Sequence, residues 1–195
     1  NLGTEKTFCT GMSNGADMSY RLACEASSVF KAVASVAGCM FESAIDSCSP
    51  DNPIPVFEIH GTNDNITLWE GDAYYYYGAY VGVETTFEFW SQLNVTTESI
   101  IDTLPNLDTQ DGSYVISHKN INGINNNEVW LYEVVNGGHH WPGAYGNMDI
   151  SASDEIWYFF NNVISQNLDI SEKNMNQFLN SFNIYPNYPN PFNPI

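Results

Sequence analysis

The sequence predicts an α/β domain built on a mostly parallel sheet with helices on both faces. Short apolar segments alternate with amphipathic ones along the chain, the arrangement that folds into strands interleaved with helices. Residues 32–37 (Ala-Val-Ala-Ser-Val-Ala) are nearly free of polar side chains, as a parallel strand covered on both faces must be. A Gly-x-Ser-x-Gly turn stands where the first strand gives way to the first helix.

Lys6 to Thr10 reads as a short strand that runs directly into Gly11-Met12-Ser13-Asn14-Gly15. The pattern then becomes helical from Ala16 to Ala26, with Met18, Leu22 and Ala23 recurring at helical spacing and Cys24 able to join them. After the strand at Ala32 to Ala37 comes a loop containing Pro50, Pro53 and Pro55, and Val56 to His60 reads as a buried strand ending at Gly61. Beyond the aromatic run Tyr74 to Tyr77, a helix over Val83 to Leu93 places Val83, Phe87 and Trp90 on one face. Ser99 to Leu104, Tyr114 to Lys119 and Val129 to Val135 read as strands, the last running into Asn136-Gly137-Gly138. A final helix from Ser153 to Ile164 carries Ile156, Trp157, Phe160 and Ile164 toward the sheet. The first strand delivers a sharp turn into a helix and so belongs in the middle of a sheet; strands N-terminal to this chain are expected to complete it.

At 195 residues and 43% hydrophobic content the chain is sized for one domain plus a tail. Five Lys+Arg against 23 Asp+Glu give a net charge of -18, which makes a phosphate backbone or an anionic membrane surface an unfavourable partner. No apolar stretch is long enough to span a bilayer, and no charged-then-apolar signal segment stands at the N-terminus. Cys9, Cys24, Cys39 and Cys48 form neither a Cys-x-x-Cys pair nor a zinc spacing with histidines, so no metal and no cofactor is expected. They can form up to two disulfides, with Cys39 and Cys48 closing a short loop, or remain buried thiols.

Gly-x-Ser-x-Gly between a strand and a helix is the pattern of a nucleophile elbow. Its glycines relieve crowding at a strained turn that lifts the Ser13 hydroxyl toward a substrate carbonyl. A serine hydroxyl attacks at neutral pH only when a base takes its proton and an acid orients that base. On this architecture the chain order is Ser, then Asp or Glu, then His, each at the C-terminal end of a strand. Asp64 follows the strand 56–60, with an Asx turn as its alternative role. His139 and His140 follow the strand 129–135 behind two glycines. His60, inside a strand end, and His118, on a peripheral hairpin, read as structural. The backbone N-H of Asn14, at the positive end of the first helix, is placed to stabilise an oxyanion; the second donor must come from outside this chain.

Taken together, Thr10-Gly-Met-Ser-Asn-Gly-Ala16 with Tyr20-Arg-Leu-Ala-Cys-Glu25, Pro55-Val-Phe-Glu-Ile-His-Gly-Thr-Asn-Asp64, Glu70-Gly71 and Gly137-Gly-His-His-Trp-Pro-Gly143 resemble the polyhydroxybutyrate-depolymerase and feruloyl-esterase family of secreted α/β-hydrolases, over Lys6 to about Ile164. The resemblance implies the α/β-hydrolase fold and a triad of Ser13, Asp64 and His139, because the family pattern Gly-Gly-His-x-Trp-Pro-Gly leaves His140 at its variable position. It implies that Trp141 lines the acyl pocket. The family's frequent Gly-Cys after the helix is Leu93-Asn94 here.

The composition turns to Asn, Ser and Gln after Ser165, and Asn187-Tyr-Pro-Asn-Pro-Phe-Asn-Pro194 resembles the start of the C-terminal sorting domain of type IX secretion. The expected organisation is therefore 1–165 as the C-terminal part of a hydrolase domain, 166–181 as a linker and 182–195 as the start of a sorting domain, whose prolines exclude a helix. The expected protein is a bacterial, secreted or cell-surface serine carboxylesterase. Its expected partners are the type IX machinery and feruloyl or acetyl esters of plant polysaccharide. A polyester such as polyhydroxybutyrate is the alternative substrate, and a noncatalytic carbohydrate-binding surface protein the alternative class. The tyrosines 74–77 read as a surface helix or lid segment, or as a stacking surface for a sugar or aromatic group. The sequons Asn65-Ile-Thr67 and Asn94-Val-Thr96 read as incidental.

Overall fold

The computed structural model describes residues 6–167. The sorting-domain reading at 182–195 lies outside the described residues, as does the 166–181 linker apart from its first two residues, which continue the last helix. Phe8–Met12 forms β1, two residues further along than expected, so the strand carries Gly11 and Met12 straight into the turn at Ser13. Helix α1 (Asn14–Glu25) follows, then β2 (Ala32–Val36), buried along its whole length. Next come a two-residue strand β3 (Met40–Phe41), the short helix α2 (Glu42–Ser47), and β4 (Val56–Gly61), also wholly buried. Strands β5 (Gly71–Asp72) and β6 (Tyr80–Val81) precede α3 (Val83–Leu93). Strands β7 (Glu98–Thr103), β8 (Tyr114–Ile121) and β9 (Val129–Val135), then helix α4 (Ala152–Asn167), complete the order.

The main sheet runs β1-β2-β4-β9-β8-β7. The pairings β1 with β2, β2 with β4 and β4 with β9 are parallel. Those of β8 with β9 and β7 with β8 are antiparallel. The fold is therefore α/β on a mixed sheet, with a parallel half and an antiparallel hairpin half. β1 stands at one edge of the described sheet rather than at its centre, with β2 its one strand partner among the described residues. A second sheet, β3-β6-β5, had no sequence signal because its strands are two residues long.

Period-two alternation divides the core between two faces. On one, Ala34, Val36, Phe57, Ile59 and Tyr132 pack with Ile156, Phe159, Phe160 and Val163 of α4. On the other, Val33, Val56 and Val129 meet Tyr20 and Ala23 of α1 and Trp90 of α3. Helices thus cover both faces. Along β4, Phe57 and Ile59 turn to α4, which leaves Glu58 and His60 on the α1 side.

Three expectations are corrected. In α4 the inward stripe is 156/159/160/163, while Trp157 is 43% exposed and Ile164 only partly buried; bulky side chains on both sides of this helix blur its apolar face. In α1 it is Ala16, Ser19, Tyr20 and Ala23 that are buried, whereas Met18 is half exposed. The disulfide joins Cys24 to Cys48, not Cys39 to Cys48, and Cys9 and Cys39 are free. Cys39 is held away because it follows β2 into the core, where the carboxylate of Asp17 accepts its backbone N-H at 2.7 Å.

The tyrosine run forms turns rather than a helix, with Tyr74, Tyr76 and Tyr77 exposed and Tyr75 packed edge-on against Tyr80. Asn94 is fully buried and bonded to Ile54, Trp90 and Asn127, so its sequon is closed to modification in the folded protein. No helix among the described residues is long and apolar enough to cross a membrane.

The Cys24–Cys48 link spans 24 residues of sequence and ties the end of α1 to the end of α2. Replacing both cysteines by Ser is expected to cost about 3 kcal/mol of stability through the freed unfolded chain. The urea midpoint without reductant reads this out, and an unchanged midpoint would contradict it.

Candidate active site

Ser13 is where the chain bends. Its backbone sits at φ 55, ψ -124, a strained conformation for a non-glycine residue, worth on the order of 1–3 kcal/mol. Three backbone bonds hold it there: its N-H donates to Val36 of β2 at 2.9 Å, and its carbonyl accepts from Ala16 and Asp17. Ser13 occupies the N-cap of α1 yet makes no side-chain cap bond, so the hydroxyl is not spent on the helix.

Gly11 is required at this turn. A Cβ there would lie 2.5 Å from the carbonyl carbon of Gly15, with the Gly15 oxygen and Cα also within 2.8 Å. At Gly15 an added Cβ would meet nothing within 4 Å, so the expectation that both glycines relieve crowding holds for Gly11 alone. Gly11→Ala is expected to cost about 3 kcal/mol, since rigid backbone rather than a flexible side chain stands in the way. Thermal unfolding of the variant checks this, and a melting temperature equal to wild type would refute the close approach.

Asp64 lies in the turn after β4, with its side chain removed from solvent. Oδ1 accepts the backbone N-H groups of Ile66 and Thr67 at 2.8 and 2.9 Å. Oδ2 meets Nδ1 of His139 at 2.7 Å. The Asx turn and the support of a histidine, alternatives in the sequence, are thus two oxygens of one carboxylate. The turn that carries Asp64 is pressed against the loop after β9: a Cβ on Gly61 would fall 2.3 Å from the Gly137 carbonyl oxygen, and Asn63 donates its N-H to that oxygen.

Of the two adjacent histidines, His139 is the one that meets Asp64. His140 turns into its own loop, edge-on to Tyr145 with ring centroids 4.7 Å apart and beside Gly146. Nε2 of His139 makes no hydrogen bond among the described residues, and neither does the Ser13 hydroxyl. His139 still lies within electrostatic reach of the first turn of α1. Burial raises the carboxyl of Asp17 above its ordinary range, and the hydrogen bonds from Cys39 and the charge of His139 partly offset that rise. Ser13, Asp64 and His139 follow β1, β4 and β9, at the C-terminal ends of strands in the parallel half of the sheet.

Asn14 opens α1, where the first N-H groups have no partner within the helix. Trp141 is partly buried against the α4-side core, and its Nε1-H donates to Ser153 at 3.1 Å. Starting at Asn14, a cleft of about 820 Å³ runs between α1 and the β3–α2 segment, lined by Asp17, Met18, Arg21, Phe41 and Tyr77 among others. Met18 is exposed because it borders this cleft. His118, as expected, is peripheral and pairs with Glu133 at 3.0 Å.

The buried polar network behind Asp64 carried no sequence signal as a unit. Tyr20 of α1 donates its hydroxyl to Oε2 of Glu58. Glu58 Oε1 meets Nδ1 of His60 at 2.8 Å, and His60 Nε2 lies 2.9 Å from the Thr67 carbonyl and 3.5 Å from Oδ2 of Asp64.

No family model matches the chain. Among curated proteins, the chain is similar to feruloyl esterase B of Piromyces equi, 25% identical over 99 residues that make up 48% of this chain and 18% of that enzyme. The chain therefore spans under a fifth of the length of that relative. Among solved structures, an acetyl xylan esterase from Aspergillus awamori superposes with a TM-score of 0.47 at 15% identity, over 82% of this chain and 60% of that one.

Proposed function

We propose that this chain carries the triad of a secreted serine carboxylic ester hydrolase: Ser13 as nucleophile, His139 as base and Asp64 as the acid that orients it. The observation that carries the reading is the 2.7 Å contact between His139 Nδ1 and the buried Asp64, at the same sheet end as a strained, uncapped serine. Asp64 accepts Nδ1-H, which leaves Nε2 to take the Ser13 proton as its oxygen attacks the ester carbonyl. The Asn14 N-H, at the positive end of α1, stabilises the resulting oxyanion. His139 then protonates the departing alkoxide, and water attacks the acyl-enzyme to release the acid.

Feruloyl or acetyl groups on plant polysaccharide are the substrates of this reading, supported by the likeness to feruloyl esterase B across 48% of the chain. Polyhydroxybutyrate is the alternative. Trp141 is assigned to the acyl side of the site, and the tail to export through the type IX machinery. A second reading, a noncatalytic carbohydrate-binding protein with an esterase-like shell, is favoured by one observation: no hydrogen bond joins Ser13 to His139 among the described residues. Catalytic hydrogen bonds in unliganded sites are commonly long and tighten when substrate binds, so the esterase reading stands first.

The test is the full-length protein against methyl ferulate, acetylated xylan and a polyhydroxybutyrate film. Release of ferulate or acetate is expected. Hydrolysis of the film alone would shift the reading to the polyester, and no hydrolysis of any of the three would leave the noncatalytic one.

A further inference from the structure

The triad proposed above uses one face of Asp64; the other is met by a second imidazole. His60 is fully removed from solvent, and each of its ring nitrogens faces an oxygen acceptor, Glu58 on one side and the Thr67 carbonyl on the other. A neutral imidazole has one N-H and could satisfy only one of them. Glu58 accepts the Tyr20 hydroxyl at its second oxygen. A proton on its first oxygen would also satisfy Nδ1, but a carboxylate accepting from both neighbours, with the Asp64 carboxylate 3.5 Å from Nε2, favours the proton on the ring. The arrangement is satisfied by two protons on the ring.

We infer that His60 is an imidazolium wedged between Glu58 and Asp64, and that it acts as the positioning residue of the Asp64–His139 pair. Its Nε2 lies 3.5 Å from the same oxygen, Oδ2, that meets His139 at 2.7 Å. The positive ring balances a carboxylate withdrawn from water and fixes its plane from behind, while the N-H groups of Ile66 and Thr67 fix it from the side. The inference rests on the esterase reading for its catalytic half, whereas the charge on the ring does not.

The remaining neighbours agree. Glu133 is level with His60 on β9 but pairs with His118. Tyr20 stays protonated, its hydroxyl pushed far above the ordinary phenol value by burial and by Glu58. Cys39, buried nearby, stays a thiol for the same reasons of burial and adjacent carboxylates. Burial alone would push the His60 ring toward its neutral form, but the hydrogen bond and charge of Glu58, with Thr67 and Asp64, reverse this and hold it above the ordinary imidazole value.

Folding therefore raises the proton affinity of His60. Its stabilisation is complete below the unfolded-state value of about 6.5 and is lost as pH rises through the higher folded-state value.

Nitrogen-resolved NMR of the histidine rings in the full-length protein is the direct test. One histidine should keep both ring nitrogens protonated at pH well above about 6.5, and that signal should vanish in His60→Gln. A His60 ring that loses a proton at or below that pH overturns the inference. In Glu58→Gln the ring stays in place without the group that holds its second proton, so the doubly protonated signal should be lost at the same pH; its persistence would contradict the assignment even if His60→Gln failed to fold.

For the positioning role, His60→Gln should lower kcat by roughly 10- to 100-fold while KM stays within about twofold. The doubly neutral variant Glu58→Gln with His60→Gln should regain melting temperature but not kcat. Recovery of both would reduce His60 to a packing residue and refute the role. A wild-type protein inactive on every ester would end the esterase reading, and with it this role, while the nitrogen spectrum would still decide the charge.

Discussion

Ser13→Ala should abolish ester hydrolysis, by on the order of 10⁴- to 10⁶-fold in kcat, and leave the fold intact. The loss is large because the hydroxyl that forms the acyl bond is removed, and what remains is the catalysis that binding and oxyanion donors supply alone. The fold survives because the turn is held by backbone: the Ser13 N-H to Val36, and the Ser13 carbonyl to Ala16 and Asp17. None of these bonds uses the hydroxyl, which caps nothing. Alanine and serine pay a similar cost for the positive φ, so the unfolding midpoint should move by less than about 1 kcal/mol equivalent. Hydrolysis of p-nitrophenyl acetate by wild type and variant, beside urea melts of both, checks the two halves together. Equal rates would remove Ser13 from the chemistry, and an unfolded variant would show that the hydroxyl has a structural partner.

Asp64→Asn should be nearly as severe, with kcat falling on the order of 10⁴-fold. An asparagine can still offer Oδ1 to the N-H groups of Ile66 and Thr67, so the local turn has what it needs. At the other position it presents an NH₂ group where Oδ2 accepted from His139. Donor then faces donor unless the ring adopts the tautomer with Nδ1 bare, and that tautomer carries its proton on Nε2, where the Ser13 proton must go. The same NH₂ points at His60, 3.5 Å away, and stability should fall by about 1–3 kcal/mol from the unpaired buried donors. Steady-state kinetics and thermal unfolding of the variant test this. A variant keeping more than about a tenth of the wild-type rate would show that Asp64 does not orient the base.

What the sequence made legible was local or depended on order. Gly11-x-Ser13-x-Gly15 announces itself because one short turn imposes its own residue choice, and the structure places Ser13 at positive φ between β1 and α1. Asp64 and the His139-His140 pair are legible because each follows a strand at the expected point in the chain. The strand order alone does not separate the two histidines; the family pattern favours His139, and it is His139 that meets Asp64. The part that stayed hidden depends on which face of which strand meets which helix. Glu58, His60 and Tyr20 come together because β4 turns alternate side chains toward α1, and nothing in their spacing announces it. The disulfide partner is hidden for the same reason: sequence leaves the pairing open, and Cys24 and Cys48 stand at the ends of two helices whose approach is tertiary. In α4, large side chains at 156–160 leave the inward face undecided until the sheet selects Phe159 over Trp157. The two-residue strands lie below what periodicity over a few residues can define, whereas β7, β8 and β9 are legible as strands from their alternation.

The central claim is that Ser13 is a nucleophile activated by His139. Its most direct measurement is labelling of the full-length protein with a fluorophosphonate, followed by mass spectrometric mapping of the adduct. A single adduct on Ser13 that forms far more slowly in His139→Ala is expected, whereas an adduct on another residue, no adduct, or labelling indifferent to His139 would contradict activation of Ser13 by His139.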